Sequence, residues 1–103
     1  MADLHPEVIE AQRALETAWA KREAHRKAVN ADRAKTEQAP EMAWQSPIRR
    51  DWTDKESTTY DELHAAVLAT AQARAEIMAR HQVVSSWDSE RALRAAVREP
   101  AEA

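Results

Sequence analysis

The 103 residues include no glycine, no cysteine and no phenylalanine. P-loops, Gly-rich dinucleotide loops and nucleophile elbows all need glycine where the backbone turns sharply or approaches a ligand, so its absence excludes them. The lack of cysteine excludes a disulfide framework, a thiol nucleophile and a thiolate metal site. Bulky apolar residues are scarce as well: 23 residues are Ala, whereas Leu, Ile and Val together supply only 14. No apolar run approaches the ~20 residues needed to span a bilayer. The opening stretch MADLHPEVIE is acidic and lacks an apolar centre, so it does not read as a secretory signal. The expectation is a cytoplasmic protein that does not enter membranes.

What the chain does have is Ala, Glu, Arg, Lys and Gln, all strong helix formers. The net charge is only −3, which argues against disorder by self-repulsion. The composition therefore predicts an all-α fold with a thin core, and a thin core favours a partner or self-association. Size and composition suit a small bacterial or phage-encoded assembly or inhibitor protein.

Residues 60–84 form the clearest amphipathic stretch. At about 100° per residue, Tyr60, Leu63, Val67, Ala71, Met78 and His81 fall on one side. Leu68, Ala75, Ile77 and Val84 widen that stripe, and Gln72, Glu76 and Arg80 lie opposite. One helix cannot bury such a face alone. The first third of the chain supplies the partner: helix 1, expected over residues 6–36, opens with Pro6 and carries Glu7 and Glu10 in its early turns. Its main stripe is Leu4, Val8, Ala11, Leu15, Ala18, Trp19 and Val29, interrupted by Arg22, His25 and Arg26. The other side holds Ile9, Ala20, Ala24, Ala28, Ala31 and Ala34. This alanine face reflects helix propensity or, alternatively, a smooth surface (Ala20, Ala24, Ala28, Ala31) for close packing of another helix.

Residues 37–58 form a connector in which Pro40 and Pro47 forbid a continuous helix. Thr53-Asp54-Lys55-Glu56 and Thr59-Tyr60-Asp61-Glu62 both have the form of a capping box. Helix 2 is placed at 59–85, since the β-branched threonines sit better at a cap than inside. Ser85-Ser86-Trp87-Asp88 signals a short helix 3 over 87–98, with Glu90 and Arg94 as an i,i+4 pair. Helices 2 and 3 are alternatively one helix bent at the serines. Pro100 ends helix 3, and residues 101–103 are expected to fray. The architecture expected for residues 1–103 is a single helical domain: an antiparallel helical hairpin with a Pro/Trp-containing connector and a short third helix.

Arg22 and Arg74 lie within the apolar stripes. Each either pairs with a carboxylate (Asp32, Glu16 or Glu62 being within reach) or covers apolar surface with its stem while its guanidinium meets water; the second reading is preferred. Residues 21–36 carry a net +4 and residues 37–62 a net −4. The basic end of helix 1 is expected to face the acidic connector, and nucleic-acid contact through that block is the alternative.

The candidate chemistry is thin. Asp61-x-x-His64 places two ligand types on one helical face, but no second such motif completes a di-metal set. No metal, cofactor or catalytic residue is expected. Trp44 and Trp52 flank Ile48, Arg49 and Arg50, and Trp and Arg are enriched at binding hot spots. These five residues are the candidate partner-binding set, with space-filling against the helices as their structural alternative. The functional expectation is a non-catalytic protein–protein interaction or assembly module, an accessory subunit or inhibitor-type protein, binding a protein partner or its own copies.

Overall fold

The computed structural model describes residues 4–99; the segment before Leu4, and Pro100 with the three residues after it, lie outside that range. Three α-helices follow one another: α1 Pro6–Lys35, α2 Asp54–Arg80 and α3 Trp87–Arg98. The long pair, α1 and α2, pack antiparallel, and α3 lies against α1. The molecule is a rod of 60 × 29 × 25 Å. Among the described residues no helix is long and apolar enough to cross a membrane.

α1 starts where Pro6 predicts, with the His5 ring accepting from the Glu7 backbone N–H at 3.1 Å. α2 starts five residues earlier than expected, at Asp54 rather than 59. The first of the two capping boxes wins. Glu56 N–H donates to the Thr53 hydroxyl at 3.1 Å, and Thr53 N–H donates to the Glu56 carboxylate at 2.8 Å. Thr58 and Thr59 are accommodated inside the helix, whose packing and cap outweigh their modest propensity cost.

α2 also ends earlier than expected, at Arg80. With no glycine to use, the chain puts Gln82 in the left-handed region at φ 57°. Gln82 N–H donates to Ala79 and Val83 N–H to Met78, the two bonds of a Schellman end. Val83 then folds back onto the cluster that contains Met78, the apolar contact this motif favours. α2 and α3 are thus separate helices. Val84, expected on the buried stripe, falls past the turn and is exposed, and Leu68 is exposed on α2 itself.

The core has two parts. Val8, Met78 and Leu93 bring the three helices together, with Leu4, Ile77 and Val83 around them. Leu15, Ala18 and Val67 continue it between α1 and α2. Beside the first part lies a polar chain. Arg74 donates to the Gln12 side-chain oxygen at 2.8 Å and forms an ion pair with Glu90. Gln12, which is buried, passes its own amide to Glu16 at 2.9 Å. Arg74 therefore does not reach for water as expected; it ties all three helices, and its partner Glu90 comes from α3, outside the carboxylates considered. Glu90 in turn is spent on Arg74 rather than on Arg94. No buried polar side-chain atom among the described residues lacks a partner.

Candidate functional site

The connector is an ordered arm, and Glu56 is its anchor. Glu56 belongs to the capping box of α2, yet its two carboxylate oxygens also receive Arg50 at 2.8 and 3.0 Å. Arg50 reaches on to Asp32 of α1 at 2.7 Å. The backbone carbonyl of Arg50 accepts from Arg33 at 2.7 Å, and that of Glu56 accepts from His25 Nε2 at 2.9 Å. The Arg50 guanidinium, helped by the Thr53 backbone N–H, holds the Glu56 carboxyl down at about 2; Arg50 is correspondingly raised above the usual arginine range by Glu56 and then Asp32.

The basic end of α1 does face the 37–62 segment, Arg33 and His25 bonding to its carbonyls and Arg26 lining a groove with Asp61, but not through ion pairs. No ion pair among the described residues joins a base of 21–36 to an acid of 37–62. Instead, the connector's own arginines make the ion pairs, Arg50 with Glu56 and with Asp32 of α1, and Arg49 with Glu37 at 2.9 Å.

Trp52 links the same end of the rod through aromatic contacts. Its ring meets His25 of α1 edge-on at 5.8 Å and Tyr60 of α2 edge-on at 5.8 Å. Tyr60 stacks on His64 at 6.2 Å, and His64 accepts from Arg22 of α1 at 2.9 Å. The contacts close into a ring: α1, connector, α2, α1. Arg22 and His25 look like an interruption of the α1 apolar stripe, but they are the α1 side of this ladder. An open groove of about 350 Å³ lies here, lined by Arg26, Trp52, Ser57, Tyr60 and Asp61.

Residues 38–48 behave differently. Gln38 and Ile48 exchange both backbone hydrogen bonds, at 2.8 and 2.9 Å, as an isolated antiparallel bridge. The loop between them contains Pro40 and Pro47 and a turn in which Gln45 N–H donates to the Met42 carbonyl at 3.0 Å. Out of this closed loop stand Met42, Trp44 and Ile48, with Trp44 at 81% exposure.

The candidate partner-binding residues therefore separate into two groups. Arg50 and Trp52 are occupied within the fold. Trp44, Ile48 and Arg49 are exposed, Arg49 in its pair with Glu37. Ala20, Ala24, Ala28 and Ala31 are all exposed on α1, uncovered by α2 or α3. Met42 and Glu56 were not singled out from sequence. Glu56 could have been found as the acid of a capping box with an arginine, Arg50, six residues before it; Met42 carries no local signal beyond its place between two prolines.

At the opposite end of the rod, the antiparallel register sets the start of α1 beside the end of α2. His5 stacks on His81 with ring centroids 4.0 Å apart. Glu7 pairs with Arg80 at 2.9 Å and lies 3.4 Å from His81. These residues are separated by most of the chain, and the sequence signal that joins them is positional: His5 at one helix start and His81 at the other helix's end. Asp61 and His64, the ligand pair considered from sequence, are not gathered with a third ligand among the described residues. No known protein family, curated protein or solved structure matches this chain.

Proposed function

We propose that this protein is a non-catalytic protein-interaction module whose contact element is the closed loop 38–48. The observation that carries this reading is Trp44: a nearly fully exposed indole held on a loop that two backbone hydrogen bonds and two prolines restrain. Restraint lowers the entropy lost on binding, and an exposed indole beside Met42 and Ile48 offers apolar area of the kind that dominates hot spots. Arg50 and Trp52 in turn tie the base of the arm to both long helices. An accessory subunit or inhibitor-type role fits a small rod with such a tip.

The nucleic-acid alternative draws less support. Lys21, Lys27 and Lys35 are exposed, but Lys27 lies about 240° around the helix from Lys21, so they make no single basic strip. The test is cross-linking and co-purification with wild-type chain and with Trp44→Ala, using Trp87→Ala as a second exposed-indole control. The expected result is loss of a specific protein partner with Trp44→Ala alone, at unchanged helicity by circular dichroism. Equal capture by all three chains removes the loop from the interface.

A further inference from the structure

We propose that His5, Glu7 and His81 form a binding site for a divalent transition metal, with Zn²⁺ as the type ion, which pins the start of α1 to the end of α2. Two imidazole nitrogens and one carboxylate oxygen lie within 4.8 Å of one another. This N,N,O set is one that Zn²⁺, Ni²⁺ and Cu²⁺ favour over Mg²⁺ or Ca²⁺, which take oxygen ligands.

One distance inside the cluster, that between Glu7 and His81, suits a metal better than it suits a hydrogen bond. His81 Nε2 and Glu7 Oε2 are 3.4 Å apart, at the long limit for a hydrogen bond. Two ligands on a tetrahedral ion with bonds of about 2.0–2.1 Å are separated by about 3.4 Å. Glu7 is already oriented for this, because Arg80 holds its Oε1 at 2.9 Å and leaves Oε2 on the His81 side. Outer-shell hydrogen bonds of this sort fix the direction of a metal-binding carboxylate. His81 is also the C-cap of α2, where the negative end of the helix dipole favours a cation.

His5 is the ligand that moves. It is exposed, its ring is parallel to His81 within 22°, and its Nδ1 now accepts from Glu7 N–H. A modest tilt of this surface side chain brings Nδ1 to the ion and leaves the Glu7 N–H to water, an ordinary state for a first-turn amide. Among the described residues these three ligands leave the fourth position to water.

The experiment titrates ZnCl₂ into the purified full chain by calorimetry, with thermal unfolding followed in parallel and MgCl₂ as the control ion. The expected result is one Zn²⁺ bound per chain and a rise in Tm that Mg²⁺ does not produce. His5→Asn is the decisive variant, because Asn is among the best N-caps and keeps the helix start. It should weaken Zn²⁺ at least about tenfold, as should His81→Gln, whereas His64→Gln should leave binding intact. In the wild-type chain, Ni²⁺ should broaden the ring signals of His5 and His81 before those of His25 and His64. No heat and no Tm shift at excess Zn²⁺, or His5→Asn binding as tightly as wild type, overturns the site. If His81→Gln does not fold, the His5→Asn result stands by itself.

Discussion

The two ends of the rod are closed by different physics. At the α3 end, Val8, Met78 and Leu93 exclude water, with Val8 and Leu93 at 0% exposure. At the connector end no bulky aliphatic cluster forms; the helices are joined by the Trp52–Tyr60–His64–Arg22 ladder and by Glu56 with its arginine. Apolar burial is non-directional and proportional to area, whereas aromatic edges and ion pairs hold particular geometries and respond to charge. A chain with few large aliphatic residues has concentrated them where three helices meet and used directional contacts where only an arm must be positioned. The loop carrying Trp44 is attached to the end that lacks such an aliphatic cluster.

The largest effect that separates the ends is expected from Leu93→Ala. Removing a fully buried Leu side chain costs about 2–5 kcal/mol, a large fraction of the stability of a domain this size. Thermal unfolding should show a cooperative loss of α1–α2 pairing as α3 detaches. A variant that melts like wild type would mean that α3 adds nothing to the hairpin. Next is Arg74→Ala. It strands Glu90 and deprives the buried Gln12 of a donor; full burial would cost about 3–5 kcal/mol, and the residual exposure of the pair reduces this to about 1–3 kcal/mol. Arg74→Met combined with Glu90→Leu should recover only the part of that loss due to the stranded Glu90 charge in a urea titration, since the buried Gln12 side-chain oxygen still lacks its donor.

The all-α hairpin, the start of α1 and the span of α3 were legible in the sequence because they depend on local signals: Pro6, the helical period of the stripes, and Ser86 as a cap. The start of α2 was not. Two capping boxes of equal local quality compete, and the choice was made by Arg50 and His25, which hold Glu56 through its side chain and its carbonyl. The exposed part of the candidate site, Trp44 and Ile48, was visible as composition; its separation from Arg50 and Trp52 was not, because that depends on which rings the antiparallel register brings within reach. The role of Arg74 is hidden for the same reason, its partner lying on a helix that the stripe of α2 does not specify.

Acid should sharpen the contrast. Glu56 has its carboxyl held at about 2, below the ordinary 4.5, by Arg50 and then Thr53. A depressed carboxyl contributes stability that is complete above 4.5 and is lost as pH falls from 4.5 through about 2. The connector end should therefore loosen over that window before the apolar end does. Hydrogen exchange at decreasing pH, corrected for intrinsic rates, should show residues 50–60 losing protection first. In Glu56→Gln the connector should be looser at neutral pH and should change little further on acidification.

The smallest effect on stability, and the finest cut within the connector end, comes from its two tryptophans. Trp52 meets rings from both long helices, and each such aromatic contact is worth about 0.5–1.5 kcal/mol, so Trp52→Ala should cost about 1–3 kcal/mol and release the arm. Trp44 touches no ring in that ladder and stands in solvent, so Trp44→Ala should change stability by no more than about 0.5 kcal/mol. On the proposed function, partner binding should fall in both variants for different reasons: in Trp44→Ala the contact itself is gone, and in Trp52→Ala the closed loop is present but its base is no longer held against the helices. The difference is measurable, because a loosened loop pays its ordering entropy at binding and so retains weak, more temperature-sensitive affinity, whereas deletion of the indole removes affinity at every temperature.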